Sequence, residues 1–280
     1  MKILKYLTVL ASVIFFASCE KHDLTIANEE LLADNMAELR LHYAEPLTTG
    51  ATYRFDSLYI NGKLNANSTN AFGPTNVMPN SNKFYAAPAG TVNIKCWRKG
   101  ELVYDFDITA KAGKQDVFMY DIEQAPYVYD SKFPYYSNAA TGTGATWGAD
   151  STAYVEFYNF LYEEYGTNKV PYAGTLQLQY QDTRTEEWVN VGSPVKFGEA
   201  SGRAKVKVVK PAGITNVVRT IKYRLVDSEG APLKYTNSSG KEAEYLLQYD
   251  TTSGRVYLFY TWGIRTSKSI TAQIVTKAIH

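Results

Sequence analysis

The chain has 280 residues, 45% of them hydrophobic, with 29 Lys+Arg against 28 Asp+Glu and a formal net charge of +1. That length supports one or two domains with real cores. The balanced charge argues against a nucleic-acid partner, which favours a basic surface. In chain order, Lys2 and Lys5 precede an apolar run from Leu7 to Phe16. The run is shorter than the roughly 20 residues of a membrane-spanning helix and has the length of a secretory hydrophobic region, about 7–15 residues. Ala17, Ser18 and Cys19 close it, and the charged stretch Glu20-Lys21-His22-Asp23 follows.

Small residues ending in a cysteine behind such a run resemble the lipobox of bacterial lipoproteins, with Phe16 where leucine is usual. The resemblance implies cleavage before Cys19, a diacylglycerol on its thiol, a palmitate-like acyl chain on the new amine, and an outer-membrane location with the membrane itself as a partner. Several acyl chains hold a protein stably, because each buried CH₂ adds about 0.8 kcal/mol. Glu20 is not the aspartate that retains many lipoproteins at the inner membrane, and the acids after Cys19 resemble a surface-export signal of some Gram-negative lipoproteins. An ordinary signal peptide cut after Ala17 or Ser18 is the alternative. With Cys19 lipidated, Cys96 has no disulfide partner, and the alternation of "TVNIKCW" makes it a packed strand residue.

Residues 1–18 are therefore expected as the leader and 19–35 as a tether. From residue 36 the pattern is that of strands. "AELRLHYAE" alternates Leu39, Leu41 and Tyr43 with Glu38, Arg40 and His42, a strand with one face in solvent. "TYRFDSLYING" ends in the turn pair Asn61-Gly62. After a polar loop, strands are broken at Pro88-Ala89-Gly90, Arg98-Lys99-Gly100 and Ala112-Gly113-Lys114. Regular short strands with such turns predict a β-sandwich over 36–123. Residues 124–150, rich in Gly and Tyr, read as an interdomain segment. The strand pattern restarts for a second sandwich over 151–280. "AYVEFYNFLYEE" echoes "AELRLHYAEP", and "LLQYDTTSGRVYLFYTW" echoes "DFDITAKAGKQDVFMYD". The expected fold is all-β: two tandem immunoglobulin- or transthyretin-like sandwiches.

Tyr59 to Gly62, Ala87 to Trp97 and Ala110 to Asp121 are similar to the repeated all-β domains of Gram-negative surface lipoproteins described only as domains of unknown function. The resemblance covers the first sandwich well and the second loosely. It implies fold and cell-surface life, and no reaction.

Histidine is confined to His22, His42 and His280, and no catalytic or phosphate-binding motif occurs. Neither enzymatic activity, a cofactor nor a metal site is expected. Asp105 and Asp107, two apart on a strand, share a face; with Asp116 or Asp121 they are a calcium candidate, although a solvated strand face is the favoured explanation. Lys205, Lys207 and Lys210 among valines read as a charged outer face. Asp56-Ser57-Leu58, Asp150-Ser151-Thr152 and Asp250-Thr251-Thr252 resemble an O-glycosylation pattern of some Gram-negative secreted proteins.

Aromatics are the better binding candidates. Tyr127, Tyr129, Phe133, Tyr135, Tyr136 and Trp147 fall in the segment between sandwiches, where ligand sites are frequent. Sugar C–H faces stack on such rings; the competing explanation is that the rings join the domains. Trp97 beside Arg98 and Lys99 is a second candidate, with a cation–π contact inside the hairpin as its alternative. The expected function is a non-enzymatic binding or adhesion module at the cell surface, with a glycan or protein partner and nutrient capture as its setting. The alternative is a subunit resembling the fimbrillin pilins, processed at Arg40 and assembled by strand exchange. Against it, "SITAQIVTKAIH" reads as a core strand of its own domain.

Overall fold

In the computed structural model, residues 34–48, 51–66, 72–79, 83–131, 152–208, 218–253 and 255–278 are described. Cys19, Tyr135, Tyr136, Trp147, Phe133 and Lys210 lie outside these residues. The described chain is all-β, with one 3-10 turn at Ala51–Tyr53. None of its helices is long and apolar enough to cross a membrane.

The first half holds β1 (Met36–Tyr43), β2 (Ser57–Ile60), β3 (Lys63–Ala66), β4 (Val77–Met78), β5 (Tyr85–Pro88), β6 (Gly90–Arg98), β7 (Glu101–Ala110), β8 (Gly113–Met119) and β9 (Tyr127–Asp130). The second holds β10 (Thr152–Tyr158), β11 (Tyr162–Glu164), β12 (Val170–Pro171), β13 (Leu176–Gln181), β14 (Trp188–Val195), β15 (Ala204–Lys207), β16 (Val218–Val226), β17 (Lys234–Thr236), β18 (Glu242–Glu244), β19 (Leu246–Thr252), β20 (Val256–Trp262) and β21 (Gln273–Ala278). Local chemistry sets the tight turns. Ile60 pairs with Lys63 across Asn61 (φ 49°) and Gly62 (φ 75°), and Arg98 pairs with Glu101 across Lys99 and Gly100, also at positive φ. Two-residue hairpin loops need that left-handed geometry to match strand twist.

The two halves share one topology. An outer sheet runs β3-β2-β6-β7 in the first half and β14-β13-β16-β19 in the second. An inner sheet runs β4-β1-β8-β9, with β5 also on β1, and β15-β10-β20-β21. In both, the opening strand lies parallel to the closing one: β1 with β8, β10 with β20. The sequence echoes fall on equivalent strands. "AELRLHYAEP" and "AYVEFYNFLYEE" carry β1 and β10, and the glycine-basic echoes join β7 to β8 and β19 to β20. Each of those connections crosses from outer to inner sheet, so it is not a hairpin.

Each half buries its own cluster between its sheets. Leu39, Leu41, Leu58, Ile94, Cys96 and Val117 belong to the first, and Val155, Phe157, Leu178, Ile221, Tyr223 and Phe259 to the second. Burial pushes the Cys96 thiol far above its ordinary pKa, so this cysteine is inert packing. A third cluster, containing Ala44, Phe118, Tyr158, Phe160, Leu258, Tyr260 and Trp262, joins the inner sheets of the two halves. It makes one compact unit of the chain from Asp34 onward.

This third cluster corrects two expectations. Arg40 and His42 were expected on the solvent side of β1, yet both are fully buried, because the other inner sheet covers that side. Residues 124–150 were expected as a linker, yet Tyr127–Asp130 is a strand antiparallel to β8. Val128 packs on the first core while Tyr127 and Tyr129 face the seam. Four alternating residues between prolines and glycines are too short a signal to stand out from a loop. β21 pairs along β20 at the edge of its own half's inner sheet.

Candidate functional site

Three surfaces gather functional side chains: the seam between the inner sheets, the outer sheet faces, and a cleft at the seam's rim. At the centre of the seam, Phe118 meets Tyr158 and Phe160, each at 4.8 Å between ring centroids, and stacks on His42 at 4.4 Å. Tyr129 sits at 4.8 Å from Tyr158, and its hydroxyl donates to the Gly198 carbonyl. A Cβ on Gly198 would fall 2.4 Å from the Tyr127 ring, so only glycine lets that loop close on it. Tyr127 and Tyr129 are thus held in packing between the halves; they are not free stacking platforms.

Beneath the rings lies a buried polar group. The Arg40 Nε and a terminal guanidinium nitrogen donate to the two Asp116 oxygens at 2.6 and 2.9 Å, and His42 Nε2 lies 2.8 Å from Asp116 Oδ1. Asp116 is pushed up by burial, but Arg40 and the His42 bond outweigh this and hold it well below the carboxylate range. An ionised Asp116 only accepts, so His42 Nε2 carries the proton; His42 Nδ1 has no hydrogen-bond partner. At the rim, Glu45 is nearly sealed. Its carboxylate accepts from Tyr43 and, across the seam, from Tyr165 at 2.7 and 2.6 Å, and its carbonyl accepts Trp262 Nε1 at 2.7 Å. Lys169 reaches from the second half to Asp121 and Glu123.

The outer sheets are different. On the first, Tyr59 and Trp97 pack edge to face at 4.8 Å, both half-buried. Beside them Lys95 pairs with Asp105 at 3.1 Å, and the Asn93 amide donates to Asp105 and Asp107 at 2.9 and 2.8 Å. Trp97 therefore leans on Tyr59. Arg98 turns away to lie over Phe55 and to donate to Tyr43. The calcium candidate does not assemble with either third carboxylate: Asp105 and Asp107 share a face, while Asp116 and Asp121 lie on the other sheet's side with Arg40 and Lys169 as partners. On the equivalent sheet of the second half, Arg224 lies over the Trp188 ring at 4.2 Å and donates to Gln179 at 2.8 Å, and Gln179 donates to Asn190 at 2.8 Å. Sequence reasoning missed Trp188, whose only signal was its place across from the polar side of "LQLQYQ". Lys205 and Lys207 are exposed beside buried Val206 and Val208. Thr251 is sealed and bonded to the Tyr223 hydroxyl, out of reach of a modifying enzyme; Ser57 is half-buried, and Ser151 lies outside the described residues.

The cleft, about 450 Å³, opens between Thr48 and the strands β17, β20 and β21, with Tyr235, Trp262, Ser269, Thr271 and Gln273 in its walls. Trp262 pairs across the ladder with Gln273. Gly263 (φ 105°) carries no Cβ because one would lie 2.5 Å from the Thr271 carbonyl oxygen. Thr236 N donates to Arg265 O at 2.8 Å, tying β17 to the same loop.

No protein-family profile matches the chain, and no curated protein matches it. Among solved structures, it is similar to a leucine-rich repeat protein from Bacteroides thetaiotaomicron, at 10% identity and a TM-score of 0.18 over 80% of this chain; the chain spans 26% of that protein's length.

Proposed function

We propose that this chain is a non-enzymatic outer-membrane lipoprotein, anchored by lipid on Cys19, whose two tandem immunoglobulin/transthyretin-like sandwiches form a glycan-binding module serving adhesion or nutrient capture. One observation carries the reading. The equivalent outer sheets of the two halves each set an aromatic ring beside amides and a cation: Tyr59 and Trp97 with Asn93 and Lys95, and Trp188 with Gln179, Asn190 and Arg224. Rings offer a flat apolar surface with a polar surround, the combination that suits sugars, whose C–H faces are apolar and whose rims are hydroxyls. The seam leaves both faces open, because it engages only the inner sheets. The leader residues Lys2 to Ser18 and the cysteine after them support the anchor.

A glycan array with the detergent-solubilised protein tests the binding. Trp97→Ala and Trp188→Ala should each weaken the array signal about tenfold, the equivalent of roughly 1.4 kcal/mol; a blank array for the parent protein refutes the reading. Cys19→Ala should lose palmitate labelling and membrane attachment, and retention of both removes the anchor. The pilus alternative gains no support from Arg40, which is fully buried and bonded through two nitrogens to Asp116 in a central strand, where a protease cannot reach it in the folded protein.

A further inference from the structure

We propose that the rim cleft is a second, distinct sugar site, one that takes the terminal ring of a neutral saccharide end-on. This deepens the glycan-binding reading and rests on it. The volume, about 450 Å³, falls in the range of small-ligand sites, about 300–1,000 Å³. The chemistry of the walls selects the ligand. Thr48, Ser269 and Thr271 supply hydroxyls, Gln273 an amide, and Trp262 and Tyr235 rings. None of these side chains carries a charge at neutral pH, so nothing there compensates the desolvation of an anion or a cation. Hydroxyls and an amide that both donate and accept match sugar hydroxyls, which do the same.

The indole is already committed at its nitrogen. Trp262 Nε1 donates to Glu45 O at 2.7 Å and the indole is almost wholly buried, so Trp262 backs the cleft with what little apolar ring it leaves uncovered. Its orientation is fixed from both sides: Glu45 is held by Tyr43 and Tyr165, and the Trp262–Gln273 pair sits in a regular ladder. Tyr235 is braced by Tyr245 at 5.1 Å. The two rings are therefore set before any ligand arrives, which lowers the entropic cost of binding. Walls come from the segment after β1 and from three strands of the second half, so the site exists only because the seam has brought the halves together.

The test uses the whole protein in detergent and saturation-transfer NMR with glucose, galactose, mannose and the corresponding uronic acids. The expected result is binding of at least one neutral sugar in preference to its uronic acid. Gln273→Ala and Tyr235→Ala should each weaken it tenfold or more, with the thermal midpoint of Gln273→Ala unchanged. Unchanged affinity in Gln273→Ala and Tyr235→Ala, preference for the uronic acid, or no binding of any sugar in the panel overturns the cleft site. An array signal that persists in those cases, and still depends on Trp97 or Trp188, keeps the general reading alive without the cleft.

Discussion

The inner and outer sheets of this protein have the same topology in both halves and opposite sequence logic. Outer strands alternate: in β6, Val92, Ile94 and Cys96 are buried while Asn93, Lys95 and Trp97 face outward. Inner strands do not. Every residue of β20 is buried, Tyr257 and Phe259 in the second core and Leu258, Tyr260 and Trp262 in the seam. A sheet covered on both sides loses its solvent-exposed face, whatever its connectivity. Each inner sheet is covered on both sides because the other inner sheet lies against it. The lesson extends to composition within the seam. The second half contributes mainly rings and aliphatic side chains to the seam, with Glu156 buried on β10 and Lys277 near enough to His42 to lower its pKa, whereas the first inserts Arg40, His42 and Asp116, a group that is stable in a dry interface only while every charge keeps its partner.

The comparison breaks most sharply at the seam centre. Asp116→Ala removes the carboxylate that both buried Arg40 and buried His42 bond and should cost about 3–5 kcal/mol, read as a lower urea midpoint; Phe118→Ala should cost a similar amount through the cavity it opens among Tyr158, Phe160 and His42. A loss below about 1 kcal/mol for both would mean that the seam does not hold the halves together.

Acid should act next. Burial draws the His42 pKa below its ordinary value of 6.5, against the Asp116 bond that raises it, and Arg40 and Lys277 lower it further. The unfolded chain therefore binds the proton more tightly. Stability is full above about pH 6.5 and falls as pH drops below it, with a limiting slope of about 1.4 kcal/mol per pH unit down to the folded pKa. His42→Asn should flatten the slope in this window, and an unaltered slope would assign it elsewhere.

A smaller effect is expected at the rim. Trp262→Phe removes the donor to Glu45 O and should cost about 1–2 kcal/mol, visible as a lower thermal midpoint. Smallest of all, Lys222→Ala on the exposed face of β16 should leave the midpoint where it is. A marked shift there would mean that the outer face is covered too.

Much of the architecture was legible because its signals are local. Asn61-Gly62 and Gly100 announce their turns through backbone conformations few other residues adopt, and the period-2 pattern of β6, β13 and β16 announces strands with one dry face. The two echoes between the halves marked strands that hold equivalent places in the two topologies. β9 was not legible, since four residues flanked by proline carry too little periodicity. Nor was the fate of Arg40 and His42: alternation with Leu39 and Leu41 says only that they point away from the first core. The cleft shares that opacity, because Thr48, Tyr235 and Gln273 are distant in sequence and Thr48 meets the other two only across the seam.

By itself, the amino-acid sequence determined that this chain is built of short strands, where the tight turns fall, and which residues line each half's own core, because turn geometry and the two-residue period are properties of neighbouring residues. Only the tertiary structure decided that the polar side of β1 would be dry, that Tyr127 and Tyr129 would join the halves, and that an uncharged cleft would form beside Trp262. Those outcomes depend on which sheet covers which, and that is set by the sum of contacts between segments distant in sequence, 69 residues apart for Tyr129 and Gly198 and 217 for Glu45 and Trp262.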